Sequence, residues 1–291
     1  MKIDLHTHTA YSYDAQRSPL CEHVRAAVDA GVDVLGISEH VDFFHRETIR
    51  ESDFRPGTVD FEAYSREVEP FRKGRCIMPD LAAQQRELEQ CRRQYDGRIL
   101  LRAGVEMGQP HAAPDLADRI LETYRFDYVI GSIHHMPDDM DMYFLNYENL
   151  HQDEVLHAYF DEMDAMLRYG NFHILGHIDY PLRVMKLPHN HPSLKGYMDR
   201  VDTVLRRLVE TGIALECNTK SLLGWQQAVG PEDFVLRRYR ELGGEYVTVG
   251  SDSHSPDRIA YGIPQALGRL RELGFGYVTD FAGGKPIQHA L

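Results

Sequence analysis

Short runs of apolar residues recur along the chain, separated by longer stretches in which apolar positions fall three and four apart. The runs cover residues 2–6, 34–38, 99–105, 128–133, 172–176, 213–217 and 246–250. Their length predicts buried β-strands. Between the first two, Leu20, Val24, Ala27 and Val28 share one helical face, and comparable helical stretches occupy about 80–95, 114–125, 152–169, 194–210, 231–242 and 264–273. Ser18 reads as the N-cap of the first helix, Pro19 as its first residue and Gly31 as its stop. Strands alternating with helices predict a parallel sheet, closed or open.

No Pro/Gly/Ser linker, repeat or low-complexity run divides the sequence, so residues 1–291 are expected to form one domain. The longest intervals without a predicted strand, 41–98 and 136–171, are expected to build loops and helices on the rim. With 43% hydrophobic and 26% charged residues the composition is globular. No apolar stretch approaches the roughly 18 residues of a membrane span, and the N-terminus shows no signal-peptide pattern. Cys21, Cys76, Cys91 and Cys217 are scattered, with no Cys-x-x-Cys pair, and read as reduced thiols of a cytoplasmic protein. A net charge of −13 disfavours a nucleic-acid surface but is compatible with a small phosphorylated ligand, because buried cations can dominate the local field.

The candidate chemistry begins with "DLHTHT" at 4–9. A strand's side chains alternate between faces, so His6 and His8 point the same way and could share a metal ion. His-x-His alone is also compatible with packed core histidines. The later strands end in a consistent way: Glu39-His40 after the second, Glu106 on the third, His134-His135 after the fourth, His177-x-Asp179 after the fifth, Glu216-x-Asn218-Thr219 on the sixth, and Asp252-x-His254 after the seventh. In a parallel barrel all these ends meet on one face, where barrel active sites are built. Imidazoles with carboxylates and no thiolates suit Zn, Mn or Fe, and more than four ligands imply more than one ion.

These residues carry a resemblance. His6-x-His8, Asp14 in "HTHTAYSYD", "EH" at 39–40, Glu106, "GSIH" at 131–134, His177 in "GHID" and "SDSH" at 251–254 resemble the PHP (polymerase and histidinol phosphatase) family, across almost the whole chain. The "GHID" segment, the Glu216 strand and the size resemble its histidinol-phosphate phosphatase branch. The resemblance implies a distorted (β/α)7 barrel holding two to three divalent ions and hydrolysing a phosphomonoester. By that analogy His6, His8, Glu106 and Asp252 hold one ion, Glu106 bridges to a second held by His134 and His177, and Asp14, His40 and His254 hold the third. Glu106, Asp252 and His254 would carry catalysis, the last two as proton-donor candidates beside a metal-bound water.

Candidate substrate contacts are Arg183, whose guanidinium suits a phosphate, then His135 and Asn218 and, more weakly, Lys186 and Lys220. Asp138, Asp139 and Asp141, with Tyr143 or Phe144, could receive the cationic end of histidinol phosphate, or form a solvated acidic loop. His189-x-His191 sits between prolines and lacks a strand to fix it, and His45 and His111 have no motif context. Competing readings are a PHP phosphoesterase acting on another small ester or a nucleotide, an amidohydrolase-like enzyme, and a non-catalytic metal-binding module. The amidohydrolase pattern would place a lysine where Glu106 and His134 stand, and a non-catalytic module would be expected to lack some of the nine ligands.

Overall fold

The computed structural model describes residues 1–15, 17–185 and 192–291. Lys186, His189 and His191 lie outside them. Seven parallel strands run in the order β1 (Ile3–Asp4), β2 (Val34–Phe43), β4 (Leu100–Gly108), β5 (Tyr128–Ser132), β6 (Ile174–Leu175), β7 (Ala214–Asn218) and β8 (Val247–Gly250). The short β3 (Cys76–Ile77) pairs antiparallel with β2. The first and last barrel strands meet through a parallel bridge between Thr7 and Ser253. Backbone hydrogen bonds from Leu5 N to Val249 O (3.0 Å), Asp252 N to His6 O (2.7 Å) and His8 N to Ser253 O (2.7 Å) join the same edges. The sheet is therefore a nearly closed barrel.

Side-chain bonds reinforce that seam. Asp4, fully buried, accepts from Ser251 N (2.8 Å), Ser251 Oγ (2.6 Å) and Ala260 N (2.9 Å), tying β1 to the chain after β8. Inside the barrel the Tyr128 ring fills the space that side chains on β2 and β4 would occupy. A Cβ at Gly36 or Gly104 would overlap that ring, and the Tyr128 hydroxyl donates to Leu5 O. Two glycines thus admit one large aromatic that reaches across the core to β1.

Helices pack outside the barrel: α1 (Leu20–Asp29), α2 (Phe61–Glu67), α3 (Leu81–Gln94), α4 (Pro114–Thr123), α5 (Gln152–Tyr169), α6 (Tyr180–Val184), α7 (Met198–Thr211), α8 (Asp233–Glu241) and α9 (Ile263–Glu272). They bury one apolar face each, as Val201, Val204, Leu205 and Leu208 do on α7. Helix α1 starts later than expected: Pro19 (φ −54°, ψ 146°) is the cap residue and Leu20 the first helical one. Ser18 instead accepts from Ala10 N through its carbonyl (3.3 Å).

The C-terminal hairpin of β9 (Tyr277–Ala282) and β10 (Lys285–Ala290) was not among the expected strands. Its Gly283-Gly284 turn has positive φ at both positions (55° and 75°), the conformation a two-residue hairpin loop requires. Arg102 on β4 clamps it through a bidentate pair with the buried Asp280 (2.7–3.2 Å).

Gly104→Ala is expected to destabilise the fold by about 1–3 kcal/mol, because the barrel interior is already filled by Tyr128. The shift in urea midpoint at unchanged m-value measures it.

Candidate metal centre

Glu106 sits at the centre of the open face. It lies on β4 in register with His40 on β2, so the two side chains stand side by side on neighbouring strands. Its carboxylate is fully buried and divided between two groups of imidazoles. Oε2 lies 3.1 Å from His6 Nε2, 3.5 Å from His8 Nε2 and 3.0 Å from His40 Nδ1. Oε1 lies 2.9 Å from His177 Nε2 and 3.3 Å from His134 Nε2, and accepts from Ser132 Oγ at 2.6 Å. Burial opposes ionisation of Glu106, but the imidazoles of His6, His40 and His134 override it and hold the carboxyl well below its ordinary range.

The outward ring atoms are anchored. His6 Nδ1 meets Glu216 Oε1 at 2.6 Å, and His134 Nδ1 meets Asp42 Oδ1 at 2.9 Å. His8 Nδ1 faces Ser12 Oγ at 3.3 Å, and that hydroxyl donates to Glu39 Oε2 at 2.6 Å. Carboxylates behind histidines fix ring orientation and leave the inward nitrogen free as a ligand. His6 Nε2, His8 Nε2, His40 Nδ1 and Glu106 Oε2 are indeed buried with no hydrogen-bond partner. Unpartnered donors converging inside a protein are costly unless something occupies the space between them, and nitrogen and oxygen donors without thiolate suit a divalent ion. The sets His6–His8–Asp252, His6–Glu106–His177, His8–His40–His254 and His40–Asp42–His134 each bring their ligand atoms within 4.8 Å of one another.

Asp252 holds the edge of this cluster in a left-handed conformation (φ 53°) that few non-glycine residues adopt, a strain typical of functional positions. Its Oδ1 lies 3.7 Å from His8 Nε2. Its Oδ2 accepts from Arg183 Nη1 (2.7 Å) and Asn218 Nδ2 (3.3 Å). Lys220 Nζ donates to Asp252 O (2.7 Å) and lies 2.8 Å from His254 Nδ1. On the other side, His254 Nε2 is 3.0 Å and His40 Nε2 3.5 Å from Asp14 Oδ2.

Beside Asp14 opens a pocket of about 480 Å³ lined by Tyr13, Phe71, Asp141, Tyr143 and Tyr180. Asp141 is 6% exposed and burial pushes its carboxyl up to about 6. The acidic loop divides its roles here. Asp138 accepts from Met140 N (3.2 Å), whereas Asp139, almost fully buried, accepts from His45 N (2.7 Å) and Arg46 N (2.8 Å). Among the three aspartates only Asp141 lines this pocket, so neither the three-aspartate receptor nor the solvated loop describes it.

Residues 4–220 match the family described as PHP domain. The chain belongs to that family. A probable histidinol-phosphatase of Clostridium acetobutylicum is 30% identical over 272 residues, covering 92% of each chain. A histidinol-phosphatase of Lactococcus lactis is 25% identical over 291 residues, covering 98% of this PHP chain and 96% of the relative. The fold is that of the Lactococcus lactis histidinol phosphate phosphatase crystallised with zinc, L-histidinol and phosphate, with a TM-score of 0.80 at 23% identity and 98% coverage of both chains.

The nine PHP residues singled out from the sequence, His6, His8, Asp14, His40, Glu106, His134, His177, Asp252 and His254, gather within this one cluster. Arg183 adjoins it, 9% exposed, with Nε and Nη2 buried and unpartnered. Asn218 and His135 are both buried. Asn218 bonds Glu216, Asp252 and Lys220 N, and His135 meets Gln109 and packs on Phe44. Sequence reasoning passed over Asp42 and left Glu39 and Glu216 without roles as anchors. The signal for Asp42 was its two-residue offset from His40 on one strand, which puts both on the same face.

Asp42→Ala is expected to weaken metal retention about 10–100-fold by freeing the His134 ring. Metal content after dialysis against graded chelator reads this without reference to turnover.

Proposed function

We propose that this PHP domain, spanning residues 1–291 as one unit, is a cytoplasmic metal-dependent phosphomonoesterase that converts L-histidinol phosphate and water to L-histidinol and phosphate in histidine biosynthesis. The observation that carries the reading is the presence of two unlike recognition elements beside the imidazole cluster. One is Arg183, buried, with two N–H groups lacking an acceptor. The other is the aromatic pocket, whose carboxylates Asp14, Glu67 and Asp141 outnumber its guanidinium, Arg66. The first fits a phosphate and the second a cationic, ring-bearing tail. Similarity to full-length relatives named histidinol-phosphatase supports the same substrate.

His6, His8, Glu106 and Asp252 would hold one ion, Glu106 with His134 and His177 a second, and Asp14, His40 and His254 a third, with zinc, manganese or iron all suited to the donors. Divalent ions there supply Lewis acidity towards phosphoryl oxygens and lower the pKa of water to about 7. The rest of the chemistry belongs to the side chains. Glu106 stands between the two imidazole groups, one carboxylate oxygen towards each, and would contribute to holding an ion on either side. Arg183, aligned by Asp252, offers Nε and Nη2 to phosphoryl oxygens, where charge-assisted bonds orient the ester and neutralise developing charge. Asp252 already accepts from Arg183 and Asn218, so it is a poor proton donor. The proton needed by the leaving alkoxide comes from the mouth, where His254 Nδ1 and the Lys220 ammonium lie 2.8 Å apart. Asn218 and His135 act by positioning Asp252 and the 134–135 backbone.

The deciding assay is phosphate release from L-histidinol phosphate beside a panel of small esters and nucleotides, with and without chelator. Chelator-sensitive kcat/KM of about 10⁴ M⁻¹s⁻¹ or more, well ahead of the panel, is expected. Preference for another ester would retain the centre and reject the substrate. Glu106→Ala should remove most activity while the protein stays folded, and near-normal turnover would sink the mechanism. Asp141→Asn should raise KM for histidinol phosphate about tenfold, roughly 1.4 kcal/mol, with little change for p-nitrophenyl phosphate.

A further inference from the structure

A second group of ligand-type side chains lies on the barrel rim, apart from the Glu106 cluster. His45 follows β2, His111 sits in the 3-10 turn Pro110–Ala112 after β4, and Glu162 projects from α5. Both imidazoles approach the same oxygen: His45 Nε2 is 3.1 Å and His111 Nε2 3.0 Å from Glu162 Oε2. The rings are 5.7 Å apart at 70°, and the three ligand atoms lie within 4.8 Å of one another. Tetrahedral zinc with bonds of about 2.0–2.2 Å separates its ligand atoms by roughly 3.3–3.5 Å, so modest spreading of this triangle would admit an ion.

The surroundings hold the triangle in place. Arg75 donates from Nε to Phe44 O (2.9 Å) and from Nη2 to Ala112 O, pinning the backbone beside each histidine. Asp139 accepts from the amides of His45 and Arg46, fixing the loop from the other direction. The His111 and Glu162 side chains are 8% and 11% exposed, whereas that of His45 is 33% exposed. The set is therefore closed on the protein side and open to water on one side, leaving room for a fourth ligand from solvent. None of its three side chains hydrogen-bonds to a member of the Glu106 cluster among the described residues.

We propose that His45, His111 and Glu162 form a separate binding site for one divalent cation of the zinc class, clipping the loop after β2 and the turn after β4 to α5. Two imidazoles and a carboxylate select borderline ions over calcium or magnesium. The ion would tie the loop after β2, which Asp139 also holds, to α5 without touching substrate.

The test uses holoprotein and zinc alone as the probe. Wild type, His45→Ala/His111→Ala and Glu162→Gln are dialysed against micromolar free zinc, then assayed for zinc per chain and for Tm. Wild type is expected to retain one more zinc per chain than the double variant and to gain a zinc-dependent rise in Tm that both variants lose. Phosphatase kcat/KM should stay within about twofold of wild type, as the site makes no transition-state contact. Equal zinc content in wild type and variants overturns the proposal, as does zinc loss that tracks loss of activity. His45→Ala alone, at the most exposed member, serves if the double variant fails to fold, with the same zinc difference expected. The zinc count needs no turnover, so it stands or falls separately from the substrate assignment.

Discussion

A carboxylate with no exposure to water must be compensated where it stands, and Glu106 is compensated by five imidazoles that come from four different places in the chain. Each is delivered by the C-terminal end of a strand, so the interaction exists only if the strands are parallel, in register and closed into a ring. The same closeness sets the electrostatic problem. Glu216 and Glu106 overcome the effect of burial and draw His6 well above its ordinary pKa, while burial and the neighbouring His40 and His254 push His8 well below. A cluster that divides its own imidazoles in this way is poised to exchange protons for cations.

The parts of the fold legible in the sequence were those with a local cause. Barrel strands announce themselves as apolar runs, and eight of the nine central residues stand at or near their ends, so fold class and those eight could be read together, whereas Asp14 came only with the family resemblance. The helix start at Leu20 was misplaced because a cap depends on the conformation of Pro19 more than on the capping preference of Ser18. The terminal hairpin carried a Gly-Gly turn between alternating strands, a local signal that the barrel rhythm obscured. What was not legible depends on partners distant in sequence. Asp139 and Asp141 are separated by a single residue and differ wholly in role, because one faces the amides of residues 45 and 46 and the other faces Tyr180. His45 and His111 had no motif because their meeting point, Glu162, lies on a helix more than fifty positions from His111 and over a hundred from His45.

The acidic composition is paired with basic groups at the centre. The formal charge is −13, yet the open face of the barrel concentrates imidazoles with Arg183 and Lys220. Among the described residues no helix is long and apolar enough to cross a membrane.

The seam between β1 and β8 joins the beginning of the barrel to its last strand, with Asp4 holding Ser251 and Ala260, and Thr7 bridging Ser253. Its consequence lies in biogenesis. During synthesis His6 and His8 leave the ribosome first, and Asp252 and His254 follow only after nearly all the intervening chain. A nascent chain therefore carries an incomplete cluster for most of its time on the ribosome. Ring closure, a contact of very long sequence separation whose loop entropy must be met before the contact rewards it, is the step that completes the cluster.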